Sequence, residues 1–372
     1  MTASAAVTNR HRSFGDRLRD ALLAYGMLAP ALVIFALFVF YPFARNFWLG
    51  SYIPPLVGTG EGTYVGYDRW RVLLDFNVLL PAFGVALLVG VGLAVIVGIG
   101  LVATKRRRVS RLLGPSIAII ATVTLTLGCV LFIRRSDSDF AASLETTLKF
   151  WLYTVPPVMV IGTLLAVLGQ RLVKGIGVFR TLFMMSLATG VGVAGVIFFT
   201  LFNPNVGFLP WLGLDVKPQV FFNSTWALPG VALFAVWVNI GLAFIVLSAG
   251  MQSIPDDLYE SARVDGAGSI RCFWRITIPM LSPTLLFVFV LASITALIQS
   301  FPYVDVTTGG KAVLNTQTVP ALIVQNARGG AARVPDSGAA AVYSVALFAI
   351  ALVLTVIQLL VLERRVHYGD DA

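Results

Sequence analysis

The stretch Ser253–Pro283, SIPDDLYESARVDGAGSIRCFWRITIPMLSP, is a polar segment set between two apolar runs long enough to cross a membrane. Pro255 lacks the N–H that a first helical turn leaves unpaired, and Asp256 and Asp257 put negative charge at the positive end of a helix, so a helix is expected to start here. It is expected to run through Tyr259, Glu260 and Arg263 and to end at Asp265-Gly266-Ala267-Gly268, where glycine supplies the positive φ of a sharp reversal. Ser269 is placed to cap a second helix, which carries Arg271, Phe273, Trp274, Arg275 and Ile276 and is closed by Pro279 and Pro283. The expected product is a stiff elbow that transmits force.

Working outward, the flanking apolar runs are Ala227–Met251 and Thr284–Phe301. Six more runs pass the test of about 20 largely apolar residues for a hydrocarbon core: Ala21–Phe43, Pro81–Ala103, Leu113–Phe132, Phe150–Leu168, Thr181–Phe202 and Ala340–Val361. With 58% hydrophobic and 12% charged residues and a mean hydropathy of +0.86, the chain is too apolar for a soluble protein of 372 residues. Lipid offers no partners for open backbone groups, so the runs are expected to be helices. The expected fold is an all-α polytopic membrane protein with about eight transmembrane helices.

The net charge of +9 is distributed along the chain in a way that argues for orientation and against nucleic acid. With the N-terminus inside, the inner segments hold 17 of the 27 Lys and Arg, among them Arg10, Arg12, Arg17, Arg19 and Lys105-Arg106-Arg107-Arg108, while the 18 acids divide nine and nine. Excess Lys and Arg in cytoplasmic loops sets topology. Both termini and the elbow are therefore expected to be cytoplasmic, and the KRRR run to be a stop-transfer flank. The first apolar run has span length and no small-residue cleavage site, so it is expected to be retained as a helix.

Catalytic chemistry finds little to stand on. Cys129 falls within a span and Cys272 in the elbow, and the two histidines, His11 and His367, lie in terminal segments. No G-x-x-x-x-G-K-[ST] sequence occurs: Gly58, Gly60 and Gly62, and the Gly309-Gly310-Lys311 run, lack the spacing. The chain is not expected to hydrolyse ATP, to act as an enzyme or to bind a cofactor or metal. Glycines inside spans (Gly84, Gly90, Gly92, Gly98, Gly100, Gly190, Gly192 and Gly195) are expected to let helices pack closely.

Glu260-Ser261-Ala262, Asp265-Gly266-Ala267, Ile276 and Ile278-Pro279 resemble the E-A-A-x-x-x-G and I-x-L-P pattern in the permease subunits of binding-protein-dependent ATP-binding cassette importers. Ser261 replaces the first alanine and Ile278 the leucine. The resemblance implies that the elbow is a coupling helix docking in a groove of an ATPase subunit, with Glu260, Ala262, Asp265, Gly266, Ala267, Ile276 and Pro279 at or beside the contact. It also implies a second permease, two ATPase subunits that use ATP and Mg, and an extracytoplasmic solute-binding protein. Gly266→Asp is expected to leave the chain inserted but to uncouple transport from ATP hydrolysis.

Further segments are similar to the A-type permeases of sn-glycerol-3-phosphate importers: Tyr64–Asp68, Glu145–Phe150, Phe202-Asn203-Pro204, Gln252–Pro255, Phe301–Asp305 and Val361–Tyr368. This implies sn-glycerol-3-phosphate or glycerophosphodiesters as cargo, with a sugar or oligosaccharide as the alternative. A stand-alone secondary transporter or channel is disfavoured by the scarcity of ionisable residues in the spans. In the family pattern the segments before Leu80 and after Ser143 are nearly contiguous, so residues 81–143 read as an inserted two-helix hairpin. The expected organisation is a 1–20 tail, a first span and external loop (21–80), the hairpin (81–143), a permease core (144–362) and a 363–372 tail.

A polar solute needs polar side chains in or at the ends of spans. The candidates are Asn203, Asn239, Gln299, Ser300 and Tyr303, and for each an interhelical hydrogen bond is an open alternative. Asp305 fits the receptor-docking rim better than a phosphate ligand.

Overall fold

The computed structural model describes residues 14–53, 62–103, 124, 127–171, 176–203, 207–213, 223–309, 315–329 and 334–362. The Lys105–Arg108 run, His11, His367, Gly58, Gly60, Gly310, Lys311, most of residues 113–126 and the 363–372 tail lie outside them.

The described residues are almost entirely helical, as the apolar runs demand. Helix α1 (Phe14–Phe35) passes through a π turn (Ala36–Phe40) into α2 (Tyr41–Leu49). A short antiparallel pair, β1 (Tyr52–Ile53) and β2 (Thr63–Tyr64), with Tyr52 opposite Tyr64, leads to α3 (Asp68–Leu73) and α4 (Phe76–Ala103). After α5 (127–135) come α6 (Asp139–Arg171), α7 (Ile176–Ala188), α8 (Val191–Leu201) and α9 (Phe208–Trp211). The central α10 (Ala227–Gln252) precedes the elbow helices α11 (Asp256–Val264), α12 (Ser269–Cys272) and α13 (Ile278–Met280). The chain ends in α14 (Ser282–Ile298), α15 (Ser300–Thr308), α16 (Val319–Arg328) and α17 (Ser337–Leu362).

Among the described residues, Tyr25–Leu49, Asp139–Gly169, Ala227–Gln252 and Ser337–Leu359 are each long and apolar enough to cross a membrane. Ser269–Met280 with Ser282–Ile298 forms a fifth, broken candidate, bent by 69°. The run Thr181–Phe202, read from sequence as one span, is two helices. They part at Thr189-Gly190, where Gly190 takes an extended ψ of 141°, because glycine has little to lose by leaving a helix.

Helix α10 is the axis of the bundle. It is apolar on all sides and buried over most of its circumference, the mark of a helix enclosed by others. It packs most extensively on α6, with further contacts to α7, α14 and α15. Phe150, Val155, Val231, Phe234 and Val304 fill one half of the interior, and Val158, Ala166, Phe244, Leu247 and Leu281 the half nearer the elbow. Without water to expel, such contacts hold by dispersion and close approach. A Cβ on Gly195 would lie 2.4 Å from Cγ1 of Val306, and one on Gly241 2.5 Å from the Phe183 carbonyl oxygen. Gly84, Gly92, Gly190 and Gly192 depart from the close-packing expectation: nothing lies within 4 Å of where their Cβ would be, because these positions face out of the chain's own bundle.

At the end opposite the elbow, Trp70, Phe132, Phe140, Leu144, Val342 and Tyr343 form a third cluster, with Phe140 and Tyr343 stacked at 5.6 Å. Ala82 and Phe132 are fully buried there, so α4 and α5 are integral to this end of the bundle. Buried Arg69 of α3 pairs with Asp336, whose Oδ1 also accepts the Ala339 N–H at 2.8 Å and so caps α17. A Cβ on Gly338 would lie 2.4 Å from the Tyr52 carbonyl oxygen. The ion pair thus ties α3 to the start of α17, and β1 packs closely against the same turn. The first span joins the bundle through α2, where Phe43 meets Phe348 at 4.9 Å and Phe47 stacks on Trp70 at 5.7 Å. Its preceding Tyr25–Tyr41 portion is exposed along its length.

Candidate coupling site

Helix α11 begins as the sequence predicts, with Pro255 extended at the N-cap (φ −61°, ψ 134°) and Asp256 and Asp257 in the first turn. Its end is fully resolved in hydrogen bonds. Gly266 takes φ +73°, the Gly266 N–H donates to the Arg263 carbonyl at 3.0 Å, and the Ala267 N–H donates to the Ala262 carbonyl at 2.9 Å. This paired 6→1 and 5→2 arrangement around a left-handed glycine is a Schellman motif, with Ala262 and Ala267 as the residues that face each other across it. Three residues of the motif read from sequence, Ala262, Gly266 and Ala267, are therefore one backbone device that ends the helix and reverses the chain.

The second half of the elbow differs from expectation in two ways. Gly268, extended at ψ 162°, occupies the N-cap of α12, and Ser269 is the first helical residue. Glycine is tolerated at an N-cap almost as well as serine, so the cap slips one residue toward the reversal. Pro279 and Pro283 also do not close the segment. A π turn over Phe273–Thr277 carries the chain into α13, where Pro279 sits in the first turn, and Pro283 sits in the first turn of α14. Each proline falls where its missing N–H costs nothing, so the chain bends through 69° and does not stop.

The elbow is a bridge with fixed ends. Ile254 and Leu281 are buried, and a Cβ on Gly250 would lie 2.5 Å from Oγ1 of Thr284, so the two flanking spans touch where the bridge leaves them. Midway, the Tyr259 hydroxyl and Thr277 Oγ1 lie 3.0 Å apart, tying α11 to the π turn. The Cys272 thiol, buried, is placed to donate to the Ala267 carbonyl at 3.8 Å. Between the bridge and the ends of α6 and α10 is a cavity of about 750 Å³, lined by Val167, Met251, Tyr259, Arg263 and Cys272 among others. Glu260, Asp265 and Gly266 are exposed, Ala262, Ala267, Ile276 and Pro279 half-buried. Nothing lies within 4 Å of a Cβ built on Gly266.

The contact residues expected from the sequence leave out the apolar side chains that this bridge leaves uncovered. Val264 is 88% exposed, Ile270 78% and Trp274 65%. The signal was available, since apolar residues in a short, otherwise polar connector have no interior of their own to enter.

The candidate path residues fall into two sets. Within the bundle, Asn239 Nδ2 donates to the Ala235 carbonyl at 2.8 Å and to the Tyr303 hydroxyl at 3.1 Å. Tyr303 is buried between Phe234 and Phe150, with centroids 5.6 and 6.3 Å away, and Ser300 Oγ, also buried, donates to Thr318 Oγ1 at 3.0 Å. The Phe301–Asp305 segment, which follows the Thr284–Phe301 run, is part of helix α15, because Tyr303 and Val304 find burial on one face of a further helical turn. At the surface of the chain, Gln299 forms the junction of α14 and α15 and Asp305 is exposed, while half-buried Asn203 follows the end of α8. Asn239→Ala and Tyr303→Phe are expected to couple by roughly 0.6–1.7 kcal/mol in a double-mutant cycle on thermal unfolding, the range of interhelical hydrogen bonds in membranes.

Residues 90–368 match the family described as "Binding-protein-dependent transport system inner membrane component". The chain is 34% identical over 238 residues to the sn-glycerol-3-phosphate transport system permease protein UgpA of Agrobacterium fabrum, covering 63% of this chain and 79% of the relative. It is 35% identical over 236 residues to UgpA of Yersinia enterocolitica, covering 62% and 78%. Among solved structures it is similar in fold, at 19% identity, to a chain of a bacterial ABC transporter involved in import of the acidic polysaccharide alginate, with a TM-score of 0.63 over 94% of this chain and 98% of that one. A second structure, of a bacterial alginate ABC transporter in complex with an alginate pentasaccharide-bound periplasmic protein, matches with a TM-score of 0.60 over 94% of this chain and 95% of that one. The chain belongs to the inner membrane components of binding-protein-dependent transport systems, and is a multi-pass permease subunit of an ATP-binding cassette importer.

Proposed function

We propose that this permease imports sn-glycerol-3-phosphate or a glycerophosphodiester, as one of two permease subunits assembled with two ATPase subunits and an extracytoplasmic solute-binding protein. The observation that carries the cargo is the 34% identity to an sn-glycerol-3-phosphate permease across four fifths of that relative's length. Both termini and the elbow lie in the cytoplasm in this reading, supported by the bias of Lys and Arg. The elbow is the ATPase contact: Val264, Ile270 and Trp274 offer an apolar anchor and Glu260 and Asp265 a charged rim, the composition of a protein-binding patch. ATP and Mg act in the partner subunits. Closure of the ATPases pulls on a short bridge whose flanking spans already touch at Gly250 and Thr284, so the movement is passed to α10 and α14 as a rigid-body rocking.

The test is reconstitution of the complete complex in proteoliposomes with its receptor. Receptor loaded with sn-glycerol-3-phosphate is expected to stimulate ATP hydrolysis and solute uptake above the unloaded receptor. Stimulation by an oligosaccharide and none by glycerol-3-phosphate or its diesters overturns the cargo. Solute flux through this chain alone overturns the subunit role.

A further inference from the structure

The end of the bundle opposite the elbow holds a polar cavity that none of the readings above uses. Helices α6 and α10 run side by side: Val167 and Met251 line the elbow cavity, while the N-terminal part of α6 and Leu228 of α10 line this second one. It has a volume of about 440 Å³, within the roughly 300–1,000 Å³ typical of small-molecule sites. Glu145, Thr146, Lys149 and Tyr153 project from one face of α6, at helical spacings of three, four and seven to eight residues, and Asn315 and Gln317 close the far wall.

Two features bear on what this cavity can hold. Glu145 and Lys149 form an ion pair at 2.6 Å with both side chains half exposed, so the ammonium keeps donors to spare and its hold on the carboxylate is weak. Asn315 takes φ +52°, a left-handed conformation uncommon outside glycine, and its Nδ2 donates to the Ser224 carbonyl at 3.4 Å, bracing the wall across the cavity. The result is a concave site carrying a cation, a carboxylate, hydroxyls and amides, which suits a small molecule bearing both an anionic group and hydroxyls. A docking receptor needs a broad surface of about 800 Å² per partner.

We propose that this cavity is a solute-receiving subsite for a small anionic polyol. The Lys149 ammonium takes the anionic oxygens, and Glu145, released from the pair, accepts the hydroxyl hydrogens, with Asn315 and Gln317 completing the polar wall. The proposal rests on the cargo reading above, and on solute entering at the end opposite the elbow.

The test uses the complete complex and its receptor in proteoliposomes, with sn-glycerol-3-phosphate as the solute. Lys149→Gln is expected to lower uptake at limiting solute by about tenfold, the loss of one charge-assisted hydrogen bond. Lys149→Arg restores most of it, and Glu145→Gln, which frees the ammonium but leaves only a neutral acceptor for the hydroxyls, is expected to lose several-fold less than Lys149→Gln. Hydrolysis stimulated by unloaded receptor is expected to be the same in all of them. Lys149 is half exposed, so these replacements leave the packed interior alone. Wild-type uptake with undiminished Lys149→Gln uptake overturns the subsite alone. Equal losses in Lys149→Gln and Glu145→Gln reduce the pair to a helix-stabilising contact. Loss of stimulation by unloaded receptor in Lys149→Gln makes the cavity a receptor contact. No glycerol-3-phosphate uptake by the wild type overturns the cargo and the subsite together.

Discussion

Gly266→Asp in the assembled transporter is expected to cut solute uptake at least about tenfold, a loss on the scale of one interface hot spot, while the chain still inserts and the complex is purified at normal yield. The reasoning has two parts. At φ +73° an L side chain is strained by about 1–2 kcal/mol, and asparagine and aspartate tolerate this better than other residues. Within this chain a Cβ at Gly266 meets open space, so the bundle itself is not disturbed. The burden falls on whatever sits against the exposed reversal, where a carboxylate adds both volume and charge. Gly266→Asn has the same shape and the same tolerance of left-handed φ without the charge, and is expected to retain several-fold more uptake. ATP hydrolysis measured beside uptake distinguishes uncoupling from loss of the ATPase. Equal, full activity in both variants removes Gly266 from the contact.

Asp336→Ala is expected to have the largest effect on stability. It leaves the Arg69 guanidinium buried without its counter-ion and at the same time removes the acceptor for the Ala339 N–H at the start of α17. Breaking a buried pair from one side costs about 3–5 kcal/mol, and the 32% exposure of Asp336 puts the expected loss at the lower end. Thermal unfolding in detergent is expected to fall by several degrees. Arg69→Met in the Asp336→Ala background removes the stranded charge and is expected to recover part of the loss. No recovery would mean that the cap, and not the ion pair, holds α17 to α3.

The elbow was the most legible part of this chain because its signals are local. Proline, two aspartates and a glycine each act through their own backbone, so the start of α11 and the positive φ at Gly266 follow from residue identity. The cap of α12 was misplaced because Gly268 and Ser269 are both acceptable N-caps, and local preference does not separate them. The bend at Leu281 was read as a stop because a proline after an apolar run looks the same whether the chain ends a helix or begins the next one.

The tertiary features were less legible for a different reason. The Asn239–Tyr303 hydrogen bond and the Arg69–Asp336 pair join residues 64 and 267 positions apart, and nothing in local pattern names a partner at such separations. Polar residues at span depth do announce that they need a partner. They do not announce whether it is a solute or another helix. The all-α membrane fold needed only the length of the apolar runs, whereas the break at Gly190 depended on a conformation that glycine permits without requiring.

We propose that Ser253–Pro283 is the part of this permease that meets the ATPase. The contact can be mapped by placing a cysteine at Glu260 and, separately, at Asp305, then treating the assembled complex with a short thiol-reactive cross-linker carrying a photoactivated second arm. Both positions are exposed, and the native Cys129 and Cys272 are buried. Glu260→Cys is expected to link to the ATPase subunit with a yield that changes when nucleotide binds, and Asp305→Cys is expected not to link to it. An ATPase adduct from Asp305→Cys, or none from Glu260→Cys in a complex that still hydrolyses ATP, contradicts the proposal.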